Sequence, residues 1–304
     1  MEKSGTQCIF CKKGVLEEYF RLRKNSLQTI RCSHCGIVVV CNTPINGDNL
    51  SAFYSMNAFQ GKRELQDTDL YSGYYANCFA GYDHDDLTIR QFETILSDIS
   101  SCLETANTPA LLDVGCATGV FLDLARKADF SVKGVEISKE LSQYAREHFS
   151  LEVKNDLLQA HFPSHEFDVV TLLDVIEHFP LSIFQTMLAE IFRILKPGGI
   201  LVVRTPSEDA LLRNIAKTIY YGTLKQIQTP MHLFYSYEHI LNFAPASLNS
   251  GLQQYGFSPL LQKREEENPE RLNMSGIMKN LLKGIYVFSG LFHKQHKILH
   301  FYNT

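Results

Sequence analysis

Four cysteines near the start of the chain have the spacing of a metal site. Cys8-Ile-Phe-Cys11 and Cys32-Ser-His-Cys35 are two CxxC pairs separated by 20 residues. Each CxxC turn can direct two thiolates at one tetrahedral zinc ion, and so short a segment folds stably only with help from a metal. The alternatives are chance spacing and two disulfides, which are rare in chains without a secretion signal. We therefore predict a zinc ribbon over residues 1–45 with a structural zinc.

A second stretch, LLDVGCATGVF at 111–121, places glycines between an apolar run and a helical pattern. Gly115 and Gly119 permit positive φ and close approach of the backbone to a ligand, and the following helix N-terminus offers free N–H groups. An ordinary strand–helix turn is the alternative. Glu136 follows Gly115 by 21 residues, at the end of the next predicted strand, where a carboxylate can accept ribose hydroxyls. We therefore predict an adenosine-containing ligand.

Strands and helices alternate from residue 87 onward, which is typical of a doubly wound α/β sheet. The pattern predicts strands at 110–114, 131–135, 151–153, 168–173, 199–204, from Gly256-Phe257 onward, and at 297–302. It predicts helices at 87–103, 118–128, 138–149, 181–195, 207–222 and 236–255. The expected fold is a Rossmann-like, mostly parallel seven-stranded sheet over residues 85–304. A linker and tyrosine-rich cover segment at 46–84 joins it to the ribbon, and a lid is expected at 205–236.

The composition is that of an ordinary globular protein. The chain has 304 residues, 45% of them hydrophobic, and its net charge of −4 gives no general affinity for nucleic acid. No apolar run approaches the roughly 20 residues that span a bilayer, and the first residues lack a signal-peptide core. We therefore expect a cytoplasmic protein, whose oligomeric state the sequence leaves open. The basic stretch 274–292 could lie on a membrane surface, but we favour a helix packed on the sheet.

Over roughly residues 85–262 the chain resembles the class I S-adenosylmethionine-dependent methyltransferases. The matching motifs, in the family's order, are Asp113-Val-Gly115-Cys-Ala-Thr-Gly119, Val135-Glu136, Asn155-Asp156, Phe167-Asp168-Val-Val-Thr-Leu-Leu-Asp174-Val-Ile-Glu177-His178 and Leu195-Lys196-Pro197-Gly198-Gly199. One departure is Ala117, which stands where a third glycine is usual. The resemblance implies a methyltransferase with S-adenosylmethionine as its cofactor.

The resemblance also implies which residues hold the cofactor. The loop 115–119 would contact its methionine end, Glu136 its ribose and Asp156 its adenine, while Asp174 would stand at the mouth of the site. A helix cap is the alternative role for Asp156, and a turn carboxylate for Asp174. The implied set is Asp113, Gly115, Cys116, Ala117, Gly119, Glu136, Ile137, Asp156, Leu157, Asp174 and Tyr75. Tyr75 belongs to the cover segment with Tyr71, Tyr74 and Tyr82, for which an aromatic cluster is the alternative.

A zinc ribbon, a tyrosine-rich stretch and this domain together are similar to bacterial methyltransferases of sugars and secondary metabolites, including nucleotide-sugar C-methyltransferases. Those often carry a His-x-x-Tyr/Phe-Phe/Tyr-Ser motif in a substrate lid, which reads His232-Leu-Phe-Tyr235-Ser236 here. Their C-methylating branch has a Glu–His pair, whereas Met231 precedes the histidine in this chain. Asp174-x-x-Glu177-His178 is similar to the Glu-x-x-Glu-His of ubiquinone-type O-methyltransferases, a motif that can hold a metal. Whether a second metal binds here is left open.

The predicted catalytic residues are His232 first and His178 second. A sulfonium is a good leaving group, so catalysis depends mainly on the position of the acceptor. A base is needed only where the acceptor must lose a proton, and an imidazole suits that role. A structural hydrogen bond is the alternative for His232. We predict O- or C-methylation of a small-molecule acceptor (a sugar, polyketide or phenolic compound). RNA methylation on the basic ribbon and a non-catalytic scaffold are the alternatives.

Overall fold

The computed structural model describes residues 5–24, 26–54, 86–103, 108–265 and 295–304, with a few positions between 280 and 290. The strands are β1 (Leu16–Leu22), β2 (Leu27–Cys32), β3 (Val38–Val40), β4 (Ala110–Val114), β5 (Ser131–Val135), β6 (Val153–Lys154), β7 (Phe167–Leu173), β8 (Leu195–Pro206), β9 (Leu241–Asn242), β10 (Ser258–Glu265) and β11 (Lys297–Asn303). The helices are α1 (Leu50–Phe53), α2 (Asp86–Cys102), α3 (Val120–Lys127), α4 (Lys139–Phe149), α5 (Leu181–Ile194), α6 (Leu211–Gly222), α7 (Thr229–His232) and α8 (Pro245–Gln253), and a 3-10 turn spans Ile176–His178.

The larger sheet has seven strands in the order β10-β11-β8-β7-β4-β5-β6. The strands from β8 to β6 are parallel, while β11 runs antiparallel to both β8 and β10. Helices must cover both faces of such a sheet, which explains the continuous apolar run in β7, where Val169, Val170 and Leu172 are fully buried. The predicted Rossmann-like, mostly parallel seven-stranded sheet is confirmed.

The direction of the winding reverses between β4 and β7. The chain leaves β4 toward β5 and β6 on one side and later returns to β7 on the other. Ligands of doubly wound sheets bind outside the carboxyl ends of the strands at such a switch point. The loop that follows Val114 and the turn that follows Leu173 therefore meet where a ligand is expected.

One predicted element is wrong in its first half. The sequence pattern predicts a helix over 236–255, but the structure has the short strand β9 followed by α8, which begins at Pro245. Proline lacks an N–H and clashes with the preceding turn of a helix, so it is tolerated only in the first turn. Leu241 and Asn242, which precede this proline, instead form β9 and pair with β3. The ribbon sheet thereby gains a strand from the C-terminal half of the chain.

The ribbon sheet has the order β1-β2-β3-β9 and is antiparallel throughout. The turn between Cys8 and Cys11 packs on the seven-stranded sheet unit through Phe10. The Phe10 ring lies 4.9 Å from that of Phe184 and 5.8 Å from that of Phe243. The side-chain amide of Gln254 donates to the carbonyl of Phe10. The ribbon therefore shares a core with α5 and α8.

None of the helices in the described ranges is long and apolar enough to cross a membrane. The stretch 274–292 lies almost entirely outside the described residues.

Candidate active site

The loop from Gly115 to Gly119 joins β4 to α3 through three residues with positive φ. The φ angles are 80° at Gly115, 48° at Ala117 and 87° at Gly119. A Cβ at Gly115 would lie 2.4 Å from Cγ2 of Val175, so only glycine allows the loop to pass this close to the end of β7. The left-handed φ of Ala117 costs an alanine about 1–2 kcal/mol, which explains why glycine is usual at this position.

Glu136 follows β5 and turns its carboxylate toward this loop. Its two oxygens accept the backbone N–H groups of Ala117 at 2.9 Å and Ser138 at 2.8 Å. Burial raises the pKa of Glu136, although these N–H donors oppose the shift. Each carboxylate oxygen can accept a second hydrogen bond. The residue therefore braces the loop and still has lone pairs for the hydroxyls of a ribose.

Asp174 follows β7 beside the loop and forms a buried ion-pair cluster. One oxygen, Oδ2, accepts from Arg204 at 2.7 Å and from Lys297 at 2.9 Å. Burial alone would raise the pKa of Asp174, but the charges of Arg204 and Lys297 outweigh it and hold the pKa below its usual range. The other oxygen, Oδ1, is buried and has no hydrogen-bond partner among the described residues. Oδ1 is therefore a hydrogen-bond acceptor that the described residues leave unused.

Two other residues of the implied cofactor set are buried, Asp113 in β4 and Cys116 in the loop that follows it. Asp113 in β4 accepts the hydroxyl of Thr171 at 2.6 Å, and burial raises its pKa to about 7. The thiol of Cys116 points at Gly134, where a Cβ would lie 2.7 Å from Sγ. Burial holds the pKa of Cys116 well above its usual value. These side chains support the loop, and Cys116 offers a ligand only its backbone.

Asp156 and Leu157 follow β6 at the same edge of the sheet. One oxygen of Asp156, Oδ1, accepts the N–H groups of Leu158 at 2.8 Å and Gln159 at 3.2 Å. Because a turn and not a helix follows Asp156, this oxygen stabilises the turn, and the alternative role as a helix cap is wrong. Leu157 is buried in the core beneath this turn, in the cluster that contains Val135. The edge thus brings together the loop, Glu136, Asp156 and Asp174.

A second polar group lies in the 3-10 turn that follows Asp174. Nδ1 of His178 lies 2.9 Å from the carbonyl oxygen of Glu238 and 2.9 Å from the hydroxyl of Tyr54. A carbonyl can only accept, so Nδ1 carries the ring proton and Nε2 keeps its lone pair. Glu177 beside it accepts the hydroxyl of Thr205 at 2.9 Å. Burial, and then the charge of Asp174, raise the pKa of Glu177 to about 8.

Glu177, His178 and His239 could hold a metal ion, because one ligand atom from each lies within 4.8 Å of the others. The rings of the two histidines are 4.9 Å apart, and two imidazoles with one carboxylate suit a divalent transition metal. Asp174, which the sequence motif groups with Glu177 and His178, instead pairs with cations. The sequence interpretation missed His239 because it placed this residue inside a helix.

Residues 87–262 match the model of a family described as a methyltransferase domain, over more than half of the chain. The chain belongs to this methyltransferase family. The match agrees with the region that resembles the class I enzymes, and the predicted S-adenosylmethionine-dependent methyltransferase is confirmed.

Similar proteins include O-methyltransferases of ubiquinone biosynthesis. One from Actinobacillus pleuropneumoniae serotype 7 (strain AP76) is 29% identical over 187 residues, which cover 56% of this chain and 78% of that protein. A mitochondrial one from Schizosaccharomyces pombe is 30% identical over 132 residues, which cover 41% of this chain and 47% of that protein. A solved complex between the Haloferax volcanii Trm112 methyltransferase activator and a methyltransferase has a TM-score of 0.52 at 16% identity, and covers 75% of this chain and 96% of that chain. This last likeness shows the fold alone.

The four cysteines of the methyltransferase's ribbon converge on one point. Cys8 and Cys35 have their sulfurs 3.8 Å apart, and Cys11 and Cys32 have theirs 3.6 Å apart. A tetrahedral zinc with Zn–S bonds of about 2.3 Å requires sulfurs about 3.8 Å apart. All four thiols are free and buried, and these separations are too long for the disulfides that the sequence left as an alternative. The donor set and its spacing therefore fit zinc.

His232, the first predicted base, lies at the end of α7 and is half-buried. Its backbone N–H donates to the carbonyl of Gln228, and its ring has no hydrogen bond to a described residue. Burial, and then the charge of Lys24 in the β1–β2 turn, lower its pKa. Tyr235 of the same motif is buried and donates to Glu208 at 2.8 Å. This motif thus lies against the ribbon hairpin, while His178 lies near the cofactor edge.

The start of the cover segment crosses the carboxyl edge of the sheet. The hydroxyl of Ser51 in α1 donates to the carbonyl of Ile137 at 3.4 Å, and Tyr54 contacts His178. This short helix therefore bridges the ribose side of the edge and the histidine side. Of the implied cofactor set, Tyr75 lies outside the described residues, as do Tyr71, Tyr74 and Tyr82.

The ribbon also holds the backbone that orients His178. The hydroxyl of Thr43 donates to the carbonyl of Tyr237 at 3.0 Å, and the N–H of Val40 donates to the carbonyl of Ile240 at 2.9 Å. Glu238, whose carbonyl accepts from His178, lies between these two anchors. The position of His178 therefore depends on the ribbon sheet, a link that the spacing of the sequence motifs does not reveal.

Proposed function

We propose that this methyltransferase transfers a methyl group to a hydroxyl of a small phenolic acceptor, with His178 as the base. The observation that carries the proposal is the 2.9 Å contact between Nδ1 of His178 and the carbonyl oxygen of Glu238, beside the carboxyl ends of the strands. The Nδ1–H of His178 is held by the carbonyl of Glu238, so Nε2 can accept the proton of an acceptor hydroxyl. Relatives named as ubiquinone biosynthesis O-methyltransferases favour a phenolic hydroxyl over the sugar and polyketide alternatives.

The cofactor-binding roles belong to the same proposal. S-adenosylmethionine supplies an electrophilic methyl group on a sulfonium, so the protein's task is to align the acceptor with it. The loop 115–119 binds the methionine end, and Oδ1 of Asp174 accepts from its ammonium. Glu136 accepts the ribose hydroxyls, and Asp156 accepts the adenine amino group. These residues follow the strands β4, β5, β6 and β7, so the sheet fixes their positions before the cofactor binds.

A structural zinc on Cys8, Cys11, Cys32 and Cys35 is also part of the proposal. The ribbon would then be a scaffold for the segment that carries Glu238 and His239, rather than a nucleic-acid clamp. The sulfur separations support this role, as does the pairing of β3 with β9.

A pair of matched variants tests the base. His178→Gln should lower turnover of a catechol acceptor by about 10²–10⁴-fold, the usual effect of losing a general base, with unchanged cofactor affinity. His232→Gln should retain most of the activity, and exposed His148→Gln serves as the control. The reverse result for the first two variants would make His232 the base, as the sequence motif predicts.

Turnover measured with and without a chelator distinguishes the two roles open to His178, general base and metal ligand. Turnover should persist in chelator if the imidazole acts as a base. If turnover disappears in chelator and returns with a divalent metal, while elemental analysis shows that the ribbon keeps its zinc throughout, Glu177, His178 and His239 act as ligands, and the proposed base is wrong.

A further inference from the structure

A groove of about 610 Å³ lies between the β1–β2 hairpin and the segment that follows α6. Its volume is within the range of about 300–1,000 Å³ that is usual for small-molecule sites. The residues that line the groove include Glu18, Arg21, Arg23, Gln28, Lys225 and Gln228. None of the lining residues belongs to the proposed cofactor site or to the group of Glu177, His178 and His239, so the groove is a separate feature.

The lining carries more positive than negative charge. The charged residues of the lining are Arg21, Arg23 and Lys225 and a single carboxylate, that of Glu18. Arg21 approaches Glu18 at 3.6 Å, but both side chains are largely exposed and such pairs are weak. The side chains of Arg23 and Lys225 form no ion pair with any residue in the described ranges. A surplus of cations in a chain of net charge −4 marks the groove as a place that attracts anions.

The segments that bear these cations are tied to one another. The side chain of Gln228 accepts the N–H of Arg23 at 2.7 Å and donates to the carbonyl of Lys225 at 3.0 Å. The hydroxyl of Tyr220 donates to the carbonyl of Arg21 at 3.1 Å. One amide and one phenol thus fix the hairpin against the loop after α6. The fold therefore holds together the backbone segments that carry these cations.

We propose that this groove binds a small organic diphosphate. Three cations against one carboxylate leave a surplus of two positive charges, which offsets most of the negative charge of a diphosphate. Arginine and lysine at the rim provide charge-assisted donors for phosphate oxygens. The side-chain amide of Gln28, which has no partner among the described residues, adds a neutral donor. The groove's limited volume favours a small molecule over a nucleic-acid strand, which would need an extended basic surface.

Calorimetric titration of the full-length protein with inorganic pyrophosphate tests the site. Arg23→Gln with Lys225→Gln should weaken pyrophosphate binding by about tenfold or more, because two charge-assisted contacts are lost. Lys12→Gln with Lys13→Gln removes the same charge from an exposed part of the ribbon, and should change the affinity by less than about twofold. Thermal melting and binding of S-adenosylhomocysteine, measured on all variants, show whether the fold is intact.

Gln228→Ala provides a second test. It removes the two hydrogen bonds that tie the Arg23 and Lys225 segments together, and it leaves the charge of the groove unchanged. It should weaken pyrophosphate binding several-fold if a built site is responsible, whereas diffuse attraction would be unaffected. Failure of pyrophosphate to bind, or an equal loss in the two charge-matched double variants, would overturn the proposal. Binding of a short RNA that both double variants weaken, without pyrophosphate binding, would instead indicate a nucleic-acid surface. None of these readouts uses methyl transfer, so they are independent of the proposed function.

Discussion

Replacement of Glu136 by alanine should separate cofactor binding from folding. The carboxylate lies at the edge of the site and braces the loop through the N–H groups of Ala117 and Ser138. Hydrogen bonds to a charged group contribute about 1.5–3 kcal/mol, so loss of the ribose contacts should weaken binding by roughly 10- to 150-fold. Burial already raises the pKa of Glu136, so the carboxylate is costly to keep charged. Its removal should therefore change the free energy of unfolding by much less than an ordinary loss of buried hydrogen bonds.

Calorimetric titration with S-adenosylhomocysteine measures the change in affinity, and chemical denaturation measures the change in stability. Glu152→Ala is the matched control. Glu152 comes directly before β6, which pairs with the strand that Glu136 follows, and its exposed carboxylate forms only long ion pairs. Glu136→Ala with the affinity of the native protein would refute the reasoning, since the cofactor's ribose would then lie elsewhere.

Three further predictions follow from the ribbon and the buried sheet. Protein prepared without chelator should contain about one zinc per chain by elemental analysis. Cys32→Ser should lower the melting temperature clearly and change the cofactor affinity little. Thr43→Val should reduce turnover about fivefold without changing cofactor affinity, since one hydrogen bond that anchors the Glu238 segment is lost, and Thr43→Ser should restore it. The folded-state pKa of Asp113, about 7 against an ordinary 3.8, means that the folded protein binds the extra proton. Native stability should therefore fall relative to Asp113→Asn as the pH rises from about 4 to 7, by on the order of 4 kcal/mol in denaturant titrations. No zinc, no rescue by serine, or parallel pH curves would each contradict the corresponding prediction.

The central sheet was predictable because its signals are local. Apolar runs such as β7 and the glycine turn at 115–119 report burial and backbone conformation directly, and their order implies a doubly wound sheet. The ribbon cysteines were equally clear, because a metal site imposes a fixed spacing. Among the predicted elements that fall on described residues, only the helix over 236–255 was substantially wrong, although Pro245 marks the point at which α8 has to begin.

The histidine site was less predictable because its parts come from distant segments. Tyr54, His178 and His239 meet only after the ribbon sheet takes in β9, and no periodic pattern encodes that pairing. Short strands such as β9 have few residues on which a hydrophobic pattern can appear. The pairing of Asp174 with Arg204 and Lys297 is likewise a product of strand order, because β11 adds next to β8 from the end of the chain.

The central claim is that the cofactor lies across the carboxyl ends of β4, β5 and β7, with its sulfur facing His178. A crystal structure of the protein with S-adenosylhomocysteine tests this most directly. We expect the ribose hydroxyls within hydrogen-bond distance of Glu136, the ammonium beside Oδ1 of Asp174, and the sulfur nearer to the imidazole of His178 than to that of His232. A ligand bound away from Glu136 would contradict the cofactor site, and a sulfur nearer to His232 would contradict the proposed base.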